Sequence, residues 1–215
     1  MARRMIRKDS GLAIIAGLAF VPLFIVRGAG PLDFWWWMSA AIIIVGGLSL
    51  AIDKPYRTLL VGDLGAGAVR RILLGIVSAG LLYLAFFGLN IAARHVFPMG
   101  AAEIGRVYAL KAQAPAARVT LLIFFLIGPG EEIIWRGFLQ RHWEERWGFP
   151  GGWLAASGLY AAIHLGSGNT MLVLAAGAAG LFWGLLYHRH RSVLLNAVSH
   201  TLWDILIFIA LPLSS

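Results

Sequence analysis

The sequence predicts an all-α fold, a polytopic transmembrane helical bundle of about seven spans with a cytoplasmic amino terminus, and three observations carry that expectation. Of its 215 residues 60% are hydrophobic and only 13% are charged, whereas a soluble domain carries roughly 25% charged residues. Mean hydropathy is +0.79. Apolar runs close to the length that crosses a bilayer recur between polar or glycine-rich breaks, and the basic residues gather in alternate connections.

The 18 Lys+Arg outweigh the 10 Asp+Glu by +8, but basic residues flanking apolar spans set orientation, so no nucleic-acid partner is expected. Cysteine is absent, which removes disulfides, thiolate metal ligands and a cysteine nucleophile together. His, Asp, Glu, Ser, Thr, Lys and Tyr remain as reactive groups.

In chain order, Arg3, Arg4, Arg7 and Lys8 precede an apolar run from Gly11 to Val26, read as a first span. A basic start, a short apolar core and Gly28-Ala29-Gly30 also fit a cleaved secretory signal, the lesser reading. Phe34 to Ile52 is a second span, opened by Trp35-Trp36-Trp37 as an interfacial anchor. Asp53 to Arg71, broken by Gly62, Gly65 and Gly67, reads as a polar loop. Ile72 to Ala93 is a third span, and Arg94 to Arg118 is a long connection holding a short surface helix around Glu103–Gln113.

Val119 opens a fourth span that runs to a turn at Gly148-Phe149-Pro150-Gly151-Gly152. Trp153 to Leu165, Met171 to Tyr187 and Val193 to Leu211 follow as the fifth to seventh spans, with Tyr187-His188-Arg189-His190-Arg191 as a solvated cytoplasmic loop. The organisation expected is 1–118 as amino-terminal helices and 119–211 as a core carrying the chemistry, in one integrated membrane domain. With the amino terminus inside, the cytoplasmic side holds twelve basic residues: Arg3, Arg4, Arg7, Lys8, Lys54, Arg57, Arg70, Arg71, Arg141, Arg146, Arg189 and Arg191. The outer side holds five, Arg27, Arg94, Arg106, Lys111 and Arg118.

Charge inside an apolar span is costly and marks function. The fourth span carries Gly128-Pro129-Gly130-Glu131-Glu132-Ile133-Ile134-Trp135-Arg136-Gly137. On a helix Glu132 and Arg136 share a face, with Glu131 roughly 100° round, so one carboxylate is paired and the other is available to water. The fifth span adds Tyr160 and His164, and the seventh adds Asn196, His200 and Asp204 at four-residue spacing along one face. Measured from the shared turn near Phe149, Glu131/Glu132 and His164 lie at ~26 and ~21 Å along their helices, and His200 and Asp204 at ~14 and ~20 Å from their own turn. That depth places them near the middle of the membrane.

Two carboxylates and two imidazoles suit hydrolysis of an amide: a carboxylate takes a proton from water, an imidazole shares it, and a second imidazole steadies the oxyanion. Glu131, His164 and His200 are also an alternative ligand set for a divalent metal such as zinc, although no His-Glu-x-x-His pattern is present and no cofactor is obligatory. Ser157 and Ser199 lack a lysine partner within a span and make weak nucleophiles.

On these residues the sequence resembles the CPBP family of intramembrane proteases, the type 2 CAAX prenyl endopeptidase and bacteriocin-processing group. The resemblance covers residues 119–211: Glu131-Glu132-x-x-x-Arg136, then Tyr160-x-x-x-His164 with Tyr where Phe is usual, then His200-x-x-x-Asp204 with Asp where Asn is usual. It implies cleavage of a peptide bond in or near the membrane, with Glu131 and His164 activating water and His200 at the oxyanion. Because an ionised Asp cannot donate, Asp204 is expected to orient His200, with Asn196 as a helper at the oxyanion. Implied partners are a membrane-associated protein or peptide substrate and the bilayer, and the implied location is a prokaryotic inner membrane. The rival readings are a non-catalytic binding or immunity scaffold and a proton-coupled carrier. A carrier calls for paired broken helices, and the sequence offers one break, at Gly128-Pro129-Gly130.

Overall fold

Without water to bond to, each apolar segment must satisfy its own backbone, and helix is the form that does so. The computed structural model describes residues 2–29, 31–97 and 99–213. The side chains of residues 2–8 and of Ala29 lie outside that description, as do Met1, Gly30, Pro98, Ser214 and Ser215. The cleavage reading at Gly28-Ala29-Gly30 and the side chains of Arg3, Arg4, Arg7 and Lys8 therefore fall outside the described residues.

The elements follow as α1 (Ala2–Val26), β1 (Gly28–Ala29) and β2 (Leu32–Asp33), then α2 (Phe34–Ile52), α3 (Lys54–Asp63), α4 (Ala68–Val96) and α5 (Gly100–Ala109). α6 (Ala116–Leu122), α7 (Gly128–Glu132) and α8 (Arg141–Ile163) are joined by π-helical turns at Ile123–Ile127 and Ile133–Gln140, and α9 (Thr170–His190) and α10 (Val193–Ile205) complete the chain. β1 and β2 are a two-residue antiparallel pairing that turns the chain from α1 into α2.

Five helical stretches are long and apolar enough to cross a membrane: Asp9–Val26, Phe34–Ile52, Ala68–Val96, Thr170–His190 and Val193–Ala210. A bent pair, Gly100–Gln113 with Ala116–Ser167 at 95°, raises the number to six. The fourth and fifth spans expected from sequence are the two arms of that second segment. They meet at Gly148, whose φ of 73° reverses the chain. The first arm carries the charges of the motif and the second is short, so neither has the plain apolar character of the other five.

Four further expectations need correction. Asp53 to Arg71 is not a loop, because Asp53 caps α3 by accepting from the Tyr56 amide at 3.1 Å and Pro55 pre-sets its first turn. Tyr187 to His190 is not a solvated loop but the last turn of α9, with Tyr187 buried and His188 turned to Glu144. The three tryptophans do not act alike: Trp36 is exposed under the Arg118 guanidinium, whereas Trp35 is buried and donates from Nε1 to the Leu110 carbonyl at 3.0 Å. Gly128-Pro129-Gly130 does not break the helix. Proline lacks the amide donor and crowds the carbonyl four residues back, and the π turn just before it absorbs that misfit while the backbone stays right-handed.

Polar contacts sort the helix termini into two ends. At one end Asp9 pairs with Arg146, Asp53 with Arg141 and His142, Asp63 with Arg71 and the Leu194 amide, and Glu144 with Arg191. At the other, Arg27 reaches the Ser167 carbonyl, Arg118 pairs with Asp33, Glu103 accepts from the Met171 amide, and Arg94 donates to the Leu213 carbonyl. Between them, one core packs Phe20 and Phe24 of α1 and Ile42 of α2 against Ile134 and Trp135, and a second packs Leu82 and Phe86 of α4 against Trp183 and Trp203.

Candidate active site

Glycine lets the helices close on the motif. A Cβ at Gly128 would overlap the Thr201 hydroxyl of α10, and one at Gly130 would overlap Ile42 of α2. α7 therefore sits hard against both neighbours, and its two adjacent carboxylates project into different surroundings.

Glu132 is fully buried and fixed on both oxygens. Its Oε1 accepts from Arg136 Nη1 at 2.8 Å and lies 2.7 Å from His200 Nδ1, while Oε2 accepts from Asn196 Nδ2 at 3.1 Å. Arg136 lies over the Tyr160 and Trp183 rings at 4.7 and 5.4 Å. A buried charge held this way is satisfied in place and unavailable to water. The pairing of Glu132 with Arg136 is the one read from their spacing.

Glu131 is also buried, but its Oε2 accepts from the Tyr160 hydroxyl at 2.8 Å and faces His200 Nε2 at 3.9 Å. It lines a cavity of about 120 Å³ together with Tyr160, His164, His200 and Asp204. His164, one residue past the end of α8, places Nδ1 2.7 Å from the Tyr160 carbonyl oxygen. A carbonyl only accepts, so that nitrogen carries the proton and Nε2 of the neutral ring is an acceptor. The His164 ring packs on Phe24 of α1 with centroids 4.4 Å apart. His200 stacks on Trp183 at 3.7 Å, and with Nδ1 donating to the Glu132 carboxylate its Nε2 points to Glu131 and to Asp204 Oδ2, 3.6 Å away.

The structure thus gathers Glu131, His164, His200 and Asp204 around one cavity and puts Glu132 and Arg136 behind it. One sequence expectation changes. Asn196 does not help at the oxyanion, because its amide is committed to Glu132 and, at 2.8 Å, to the Trp183 carbonyl. Asp204 faces His200 from the Nε2 side, with Oδ2 3.6 Å away, while Glu132 holds Nδ1. Phe34 and Trp35 in the first turn of α2 and Leu172 in that of α9 line the cavity, together with Trp183 and His200 farther along α9 and α10. Trp183 was missed, because a tryptophan in an apolar span has no spacing that separates a stacking platform from core.

Among the described residues no group of three or more His, Asp or Glu side chains could hold a metal ion. His200 Nδ1 and His164 Nδ1 are both committed to oxygen partners, which leaves Nε2 as the uncommitted nitrogen of each ring.

Residues 113–206 match the family described as type II CAAX prenyl endopeptidase Rce1-like. That stretch of the chain is similar to the Rce1-like family. No curated protein and no solved structure matches it. All seven polar residues of the cluster fall inside the Rce1-like segment, in the order that the motif resemblance gives them. The family is one of proteases, which supports a peptide-hydrolase activity, and five apolar helices long enough to cross a bilayer support an integral membrane protein.

Proposed function

We propose that the protein is an intramembrane endopeptidase that uses a glutamate-activated water. Glu131 takes a proton from water, sharing it with the acceptor Nε2 of His164, and the hydroxide adds to the scissile carbonyl carbon. His200, protonated on both nitrogens, donates Nδ1–H to Glu132 and Nε2–H to the oxyanion. The proton held by Glu131 then passes to the leaving nitrogen as the carbon–nitrogen bond breaks, which returns the carboxylate. Tyr160 steadies Glu131 through its hydroxyl. No step requires a cofactor.

The observation that carries this reading is the division of labour between adjacent carboxylates: Glu132 is locked by Arg136, Asn196 and His200, while Glu131 faces the cavity shared with both imidazoles. A binding scaffold has no use for that division. The test is to compare new protein amino termini in cells expressing the native chain and Glu131→Gln. Termini present only with the native chain, and still formed when membranes are treated with a chelator, are expected. Identical sets of termini in the two strains would sink the proposal.

A further inference from the structure

The two ends of the bundle differ in charge, and the cavity belongs to one of them. The end that joins Asp9, Asp53, Asp63 and Glu144 to their partners holds eight basic residues from Lys54 to Arg191, and the sequence places Arg3, Arg4, Arg7 and Lys8 just before the span that starts at Asp9. The opposite end holds five, Arg27, Arg94, Arg106, Lys111 and Arg118. An excess of this size marks the cytoplasmic side.

The catalytic cavity is built at the five-residue end. Phe24 lies near the close of α1, Phe34 and Trp35 open α2, His164 follows the end of α8, and Leu172 opens α9. A second, almost wholly apolar chamber of about 400 Å³ lies against it at the same end, where Val96, Phe97 and Leu213 line it. The two share Val107, Leu172, Ala175, Trp203 and Phe208 as a common wall, so the apolar chamber adjoins the catalytic one directly.

Resting on the protease reading above, we infer that the cavity opens on the non-cytoplasmic face and that its substrate is a translocated or membrane-anchored polypeptide. The apolar stretch flanking the scissile bond fills the larger chamber. A polypeptide confined to the cytoplasm would have to pass the ion-paired end and the buried Glu132–Arg136 layer to reach Glu131.

The absence of cysteine makes the test clean. Single-cysteine variants at Met38 and Ala176 (both on the cavity wall), at Leu165 (exposed at the same end) and at Lys54 (the opposite end) are treated in intact cells and in inverted vesicles with a membrane-impermeant sulfonated maleimide. Met38→Cys, Ala176→Cys and Leu165→Cys are expected to react from outside, and Lys54→Cys only in inverted vesicles. Reaction of the cavity cysteines from the cytoplasmic side overturns the inference. So does failure of both to react from outside where Leu165→Cys does.

This readout does not need proteolysis, so it stands or falls apart from the Glu131→Gln comparison. Where that comparison yields native-only termini, their position on non-cytoplasmic segments supports the inference and their position in cytoplasmic proteins overturns it.

Discussion

At the scale of single residues, the adjacent carboxylates are expected to fail in different ways when altered. Glu131→Gln keeps the shape and leaves Tyr160 an oxygen to donate to, so its melting temperature in detergent should stay close to native while activity falls by about 10²–10⁴-fold, the range of a lost general base. Glu132→Gln instead strands the Arg136 guanidinium and loosens His200. Breaking a buried ion pair from one side costs about 3–5 kcal/mol, so this variant should melt well below native. Equal melting temperatures for the two would show that the ion pair does not organise the site. Asp204 makes a third case. Asp204→Asn restores the amide usual at that position and, 3.6 Å from His200 Nε2, offers a donor beside it. Activity should hold within about threefold, whereas Asp204→Leu, which removes the polar partner facing His200 Nε2, should lower it well beyond that. If Asp204→Leu retains native activity, the carboxylate has no part in the reaction.

At the scale of elements, the turn at Gly148 decides how α8 returns to α7. Gly152, just after it, packs on the backbone of the arm before it: a Cβ there would stand 2.6 Å from the Glu144 Cα and the Trp143 carbonyl carbon. Backbone cannot rotate away as a side chain can. Gly152→Ala should therefore cost about 1–3 kcal/mol by overpacking, read as a lower melting temperature. Gly158→Ala, six residues on with nothing within 4 Å of its Cβ, should gain about 0.5–1 kcal/mol from helix propensity. If both variants shift in the same direction, propensity rather than close approach governs this arm.

The same elements show what a sequence reveals and what it hides. The polar residues stood out because charge is rare in apolar spans, and the four-residue spacing of Glu132 and Arg136 favoured their pairing while leaving a swap with Glu131 open. The partners across helices were hidden: nothing in the spacing of Asn196, His200 and Asp204 says which one meets Glu132. The helix in Asp53–Arg71 was obscured by glycines that break a periodicity count while leaving the Asp53 cap and Pro55 in view.

At the scale of the whole molecule, the Rce1-like segment does not build its site alone. Phe24 of α1 packs on His164, and Phe20 lies 5.8 Å from the Trp135 ring. Ile42 of α2 closes on Gly130, and Phe34 and Met38 line the cavity. The first two helices are thus a wall of the catalytic chamber, even though they lie outside the matched residues. α4 is different on its outer face, where Leu81, Leu84 and Phe87 are exposed to the surroundings. In lipid the transfer of apolar surface contributes little and packing decides stability, so truncations on the two kinds of surface should diverge. Phe24→Ala should destabilise the protein by on the order of 2 kcal/mol, the cavity part of such a change, and lower activity further by freeing the His164 ring. Phe87→Ala should leave both near native. The check is a melting curve in detergent beside an activity measurement in membranes. Loss of stability in Phe24→Ala without loss of activity would place α1 outside the catalytic unit. Loss of both ties the amino-terminal helices to the chemistry of Glu131, His164 and His200, which lie far along the chain from them.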